Sequence, residues 1–135
     1  MHLKASTDYG LRAVLYLAVR GTTCSSKEIA ERMSIPRDYL IQLAQLLRRG
    51  GIITAHPGKS GGYALAKDPA SITLLHVFEA LEDETPPAPS VRERRELRAS
   101  APIDDAVRSA YERASDRYEA FFADTTIASL TSPIE

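Results

Sequence analysis

Apolar residues recur at helical spacing through the first half of the chain. Leu11, Val14, Leu15 and Ala18 form one stripe, with Ser6 placed to cap its start and Gly21 to end it. Ser25-Ser26-Lys27-Glu28 reads as a capping box opening a short helix that buries Ile29, Ala30 and Met33. Ser34-Ile35-Pro36 breaks that helix. A third runs from about Pro36 to Arg49, burying Leu40, Leu43, Ala44 and Leu47, with Asp38, Ile41, Gln42 and Gln45 opposite. Arg48 and Arg49 close it before Gly50-Gly51. The β-branched run Ile52–His56 predicts a strand, residues 57–62 a glycine-rich loop, and Tyr63–Ala66 a returning strand. A fourth helix is expected over about 74–81.

The pattern then changes. Residues 83–101 open with Asp-Glu-Thr-Pro-Pro-Ala-Pro and continue highly charged, which predicts a linker. Beyond it Ile103, Val107, Ala110, Ala114, Tyr118 and Phe121 are spaced by 4, 3, 4, 4 and 3, with Tyr111 and Phe122 beside them. That spacing approaches a coiled-coil seam on a helix about 33 Å long. Packing against a second copy is expected, the alternative being a helix folded back on its own domain. The expected fold is mainly α with a small β-hairpin: a winged helix-turn-helix domain over 1–82 and a long dimerisation helix with a tail over 102–135.

Composition changes this picture in one respect. The 135 residues carry a formal net charge of −1, but the halves differ. Residues 1–67 hold ten lysines and arginines against four acids, net +6. Residues 68–135 hold seven arginines against fourteen acids, net −7. A polyanion partner for the first half is one reading, and uneven solubility charge the other. The start of the chain lacks an apolar signal core and no run is long enough to span a membrane, so a cytoplasmic location is expected. A single cysteine, Cys24, precludes an intrachain disulfide.

Helix, short helix, tight turn, helix and hairpin in this order make a winged helix-turn-helix, and the partner it suits is double-stranded DNA. Gln42 can bond adenine in bidentate fashion, Arg37 can reach guanine or phosphate, and Ile41 suits a thymine methyl. The amides of Ser25 and Ser26, with Tyr39 and His56, are placed for phosphates. Asp38, Gln45, Arg48 and Arg49 complete the polar face. Lys59, Ser60, Gly61 and Gly62 form a basic tip fit for a narrow minor groove. Taken singly, each residue also reads as ordinary surface, core edge or turn.

Other chemistries find little support. Gly58-Lys59-Ser60 imitates the end of a phosphate-binding loop, but Ile53 stands where its first glycine is needed and no helix follows. His2, His56 and His76 with Cys24 show no metal-ligand spacing, and His76 is better placed to pack or cap on the fourth helix. No nucleophile–base pair or paired acids can be argued, so an enzyme is not expected. Cys24, just before the second helix, invites a redox-switch reading through a favoured thiolate, against that of an inert small apolar residue.

Three segments carry a family resemblance: Asp8-Tyr-Gly-Leu-Arg-Ala13, Ile35-Pro-Arg-Asp-Tyr-Leu-Ile-Gln-Leu43, and Leu47-Arg-Arg-Gly-Gly-Ile52 continuing into Gly58-Lys-Ser-Gly-Gly-Tyr-Ala-Leu65. With Thr125–Leu130 they resemble the Rrf2 family of bacterial winged helix-turn-helix transcription regulators. The resemblance implies a homodimer crossing its long helices on a roughly palindromic operator. It also implies that Tyr39 and Gln42 act on the recognition helix and Lys59–Gly62 in the wing. Cluster-binding members carry three cysteines before the long helix, and residues 83–102 hold none, so no iron–sulfur cluster and no other cofactor is expected. Ile41 stands where many members carry glutamate, so a relative's operator does not transfer directly. The resemblance further implies that residues 83–101 are a degenerate form of the family's sensor loop, and an unidentified small-molecule or protein effector would most naturally act through the 83–100 stretch. A winged-helix module binding protein rather than DNA is the second functional class.

Overall fold

In the computed structural model, residues 4–82 and 101–134 are described. The linker expected over 83–101 lies outside them except for residue 101, which opens the long helix. The chain divides into two compact units, one of residues up to Glu82 together with Phe122 onward, the other of Asp83–Phe121.

In the first unit, helix α1 (Ala5–Arg20) packs against the other helices of the winged-helix core and against the second strand of the hairpin. It begins at Ala5 with Lys4 as an N-cap that makes no side-chain bond, two residues earlier than a Ser6 cap implied. Ala13, Val14 and Leu17 are buried, while Leu11, Leu15 and Ala18 are half-buried against the same core. The single stripe expected is thus a broad one, because α1 is enclosed from several sides. Gly21 ends it in the left-handed region, at φ 66°, its N–H donating to Leu17 O.

Helix α2 (Ser26–Met33) ends at Ser34, which takes φ 56° and turns the chain sharply, and Ile35 drops into the core. Helix α3 (Arg37–Arg49) follows with Pro36 as its N-cap. Leu40, Leu43, Ala44 and Leu47 are its buried residues, the stripe read from the sequence. Strands β1 (Ile53–His56) and β2 (Gly62–Leu65) pair antiparallel, Ile53 opposite Leu65 and His56 opposite Gly62.

A short 3₁₀ turn (Pro69–Ser71) leads to helix α4 (Leu74–Leu81). A reciprocal capping box opens α4. His76 N–H donates to Thr73 Oγ1 (3.2 Å) and Thr73 N–H donates to His76 Nδ1 (3.3 Å). This is the capping role anticipated for His76.

The end of the chain returns to this unit. Thr73 and Thr126 form an antiparallel bridge, with Leu74 N–H donating to Thr125 O (2.9 Å) and Ile127 N–H to Ile72 O (2.8 Å). Helix α6 (Ile127–Thr131) packs on α1, and Ile127 is fully buried. These residues read from sequence as a tail of the long helix. Their burial instead makes them part of the winged-helix core.

The long helix α5 (Ala101–Asp124) has 24 residues, of which those up to Phe121 belong to the second unit. Arg108 bridges Asp105 (3.5 Å) and Glu112 (3.1 Å) along its surface. Among the described residues no helix is long and apolar enough to cross a membrane.

Candidate nucleic-acid interface

The two helices of the helix-turn-helix are fixed at their ends by short-range chemistry. Ser25, in extended backbone conformation, caps α2 by accepting Glu28 N–H on Oγ at 3.0 Å. The return half of the anticipated capping box is not made. The Glu28 carboxylate turns instead to the Tyr16 hydroxyl, which donates to it at 2.5 Å, and to Arg20 at 3.5 Å. Arg12 on α1 donates to Asp8 (3.0 Å) and to the Met33 carbonyl (3.5 Å) at the end of α2. Arg37, in the first turn of α3, donates from Nε to Ser26 Oγ at 3.3 Å.

The face of α3 away from the core presents Asp38, Gln42, Gln45, Arg48 and Arg49, all exposed. Ile41 sits half-buried at the flank of this face. Tyr39 lies on the other flank, its ring edge-on to Tyr9 with centroids 5.7 Å apart. That ring props α3 against α1, a contact between residues thirty apart that no local pattern signals.

The wing is fastened to the loop before α2. Cys24 N–H donates to Tyr63 O (2.9 Å) and Tyr63 N–H to Cys24 O (2.8 Å). Gly62 makes this approach feasible. Its φ is +149°, and a Cβ there would stand 2.1 Å from the Cys24 carbonyl oxygen. The wing tip closes with Gly61 N–H donating to Gly58 O, leaving Lys59 and Ser60 exposed. His56 extends from β1 with its Nε2 3.0 Å from Thr54 Oγ1.

These elements enclose a cleft. Ser25 and Ser26 line it from α2, Arg37 and Arg48 from α3, and His56, Lys59, Gly61 and Gly62 from the wing. No acid lines it, so three cations face a helix N-terminus across open solvent, which is an arrangement for anionic oxygen. Of the sequence-derived DNA residues, this cleft gathers eight, and the exposed face of α3 adds Asp38, Gln42, Gln45 and Arg49. Ser60 stays at the wing tip.

Behind the cleft the Tyr16–Glu28–Arg20 cluster tunes its members. The Tyr16 hydrogen bond, with Arg20 and Arg32 nearby, holds the Glu28 carboxyl below its ordinary range, and the same bond pushes the Tyr16 phenol up. Burial, reinforced by Glu28, pushes the Cys24 thiol up. These surroundings do not supply the favoured thiolate on which the redox-switch reading rests, and they suit the alternative of an inert small apolar residue. Cys24 is 1% exposed and its S–H points to Thr22 O at 3.5 Å, where desolvation outweighs the helix end.

A depressed carboxyl stabilises the fold above its unfolded pKa, and that stability is lost as pH falls through the folded value. Tyr16→Phe removes the first cause of the depression. The drop in urea midpoint between pH 7 and pH 3 is expected to shrink in this variant relative to wild type. An unchanged drop would show that Glu28 does not carry it.

The donor set does not fit an iron–sulfur cluster, which needs several thiolates. The chain has one cysteine, enclosed in the core. Among the described residues no three His, Cys, Asp or Glu side chains gather as a metal site, and Asp8 is engaged by Arg12.

A helix-turn-helix with an exposed polar second helix, backed by a basic hairpin, defines a winged-helix DNA-binding protein. Comparison with known proteins narrows the class. The model of the Rrf2 family, described as iron-dependent transcriptional regulator, matches residues 3–133, and the chain belongs to this family. It is 39% identical over 99 residues to an HTH-type transcriptional regulator of Synechocystis sp., covering 72% of this chain and 67% of that protein. Among solved structures it resembles T. potens IscR, with TM-score 0.77 and 26% identity over 100% of this chain and 89% of that one. CymR, the global cysteine regulator of B. subtilis, matches equally, with TM-score 0.77 and 26% identity over 98% and 97% of the two chains. The oxidised form of Staphylococcus aureus CymR gives TM-score 0.73 and 28% identity over 96% and 95%. These relatives are transcriptional regulators rather than enzymes, and this chain is a DNA-binding regulator of the same family.

Proposed function

We propose that this regulator acts in the cytoplasm as a homodimeric repressor on a near-palindromic operator, without an iron–sulfur cluster. The observation that carries the reading is the acid-free cleft joining α2, α3 and the wing beside the exposed face of α3. In this reading Gln42 contacts adenine, with Asp38, Gln45 and Arg49 along the same face. Ser25, Ser26, Arg37, Arg48 and His56 hold backbone phosphates, and Lys59 enters the minor groove from a tip shaped by Ser60, Gly61 and Gly62. Tyr39, backed by Tyr9, sets the angle of the recognition helix.

Dimerisation is supported by the apolar side chains that α5 leaves exposed. Ile103 and Tyr111 are 65% and 63% exposed, and Val107, Ala110, Ala114, Tyr118 and Phe121 are exposed beside them. Phe122 leaves the expected set. It is half-buried within its own chain, edge-on to Phe78 at 4.7 Å. Two copies joined through α5 present two recognition helices, which suits an operator of two related half-sites.

Fluorescence anisotropy with the protein's own promoter DNA across a salt series tests the reading. Gln42→Ala is expected to weaken selective binding by about 1–3 kcal/mol and relax base choice at one position per half-site. Lys59→Ala should weaken binding to all sequences alike and lower the salt slope by roughly one. Absence of DNA binding by the wild type at low salt would overturn the reading in favour of a protein-binding module.

A further inference from the structure

Helix α3 carries seven apolar or aromatic side chains in thirteen residues, and six have a place in the core. Leu40, Leu43, Ala44 and Leu47 are buried in it, and Tyr39 and Leu46 pack against its edge. Ile41 alone stands outside that cluster, half-buried amid polar neighbours. Folding therefore gives no account of an isoleucine at this position, where a polar residue would suit the helix surface equally well.

Its place on the helix is informative. Arg37, Ile41, Gln45 and Arg48 succeed one another at spacings of 4, 4 and 3, so they share one flank of α3. The two arginines of that flank line the basic cleft toward the wing. Ile41 is thus the apolar interruption in a cationic edge, and Gln42 lies about 100° round the helix from it and about 1.5 Å further along. An arginine edge follows one strand's phosphates. The 5-methyl of a thymine projects into the major groove beside its own strand, the one apolar feature of a base edge there.

We propose that Ile41 is a specificity-determining residue that packs on the 5-methyl of one thymine in each half-site, next to the base pair read by Gln42. The inference rests on the operator reading above and adds to it a base identity and a chemical group. Orientation is preset, because Arg37 is tied to Ser26 and Tyr39 to Tyr9 at the start of the same helix. The half-site then contains two neighbouring A·T pairs, one recognised by hydrogen bonds to adenine and the other by a methyl group.

The test uses the full chain and a duplex it selects from a random-sequence library. Each thymine of that duplex is replaced in turn by deoxyuridine, which changes only methyl to hydrogen. At one position per half-site the replacement should weaken wild-type binding about three- to five-fold per site, the worth of one buried methyl group. Ile41→Ala should bind the thymine and uracil duplexes alike at that position, while keeping the base preference that depends on Gln42. If no uracil replacement weakens the wild type, or if Ile41→Ala still distinguishes thymine from uracil there, the inference is overturned and the operator reading stands. If the library yields no selected sequence, both fall.

Discussion

Gly62→Ala is expected to lower the stability of the chain by about 2–4 kcal/mol, a cost set by backbone strain and a clash that no rotamer relieves. The added methyl would sit 2.1 Å from the carbonyl oxygen of Cys24 and 2.7 Å from the Cα of Ser25. Both obstacles are main chain, and both belong to the segment that caps α2. Either the two hydrogen bonds between Cys24 and Tyr63 break, or the start of α2 shifts. DNA affinity should fall with stability, because the same movement separates the wing from Ser25 and Ser26. Gly58 provides the control. Its φ of 103° also favours glycine, but nothing lies within 4 Å of a Cβ there. Gly58→Ala should cost about 1 kcal/mol, from backbone conformation alone. Urea unfolding of the three proteins decides the matter, and equal losses at positions 58 and 62 would refute the close-approach argument.

Ile127→Ala is the second large expectation, at about 2–5 kcal/mol for a side chain removed from a filled core. Ile127 is 0% exposed, and its N–H is held by Ile72 O at 2.8 Å. Truncation leaves a void among side chains that come from both ends of the chain. The comparison is Ile134→Ala, since Ile134 is 62% exposed and should change stability by less than about 0.5 kcal/mol. Were Ile127→Ala as mild as Ile134→Ala, the C-terminal segment would be an appendage rather than part of the core.

The elements legible in the sequence were those whose signals are local. The stripe Leu40, Leu43, Ala44, Leu47 fixed the orientation of α3, and with it the exposed polar face, because that helix buries one side only. The hairpin was legible from its β-branched run and glycine-rich loop. Legibility ended where distant residues compete for the same group. Ser25 and Glu28 have capping-box spacing, yet Tyr16 on α1 offers Glu28 a hydroxyl and takes its carboxylate away from the cap. The position of Cys24 before a helix suggested a thiolate, but its pairing with Tyr63 draws it into the interior. Gly62 read as part of a basic, glycine-rich tip, whereas it also lets two backbones touch. Phe122 continued the apolar run of the long helix, but Phe78 on α4 takes it.

The buried position of α6 has a consequence for synthesis. A helix-turn-helix encoded near the start of a chain is usually free to fold once its own residues have left the ribosome, since domains fold in order of their emergence. Here Ile127 and Thr131 complete the interior of that unit, and the bridge between Thr73 and Thr126 spans some fifty residues. The winged helix therefore stays unfinished until α6, which follows α5, has been made. In a nascent chain the exposed apolar side chains of α5, the seam of the proposed dimer, emerge before the surface that grips DNA is complete. Under that proposal assembly precedes DNA binding in the order of manufacture, and a message cut short within α5 yields a protein with no finished reading head to compete for DNA.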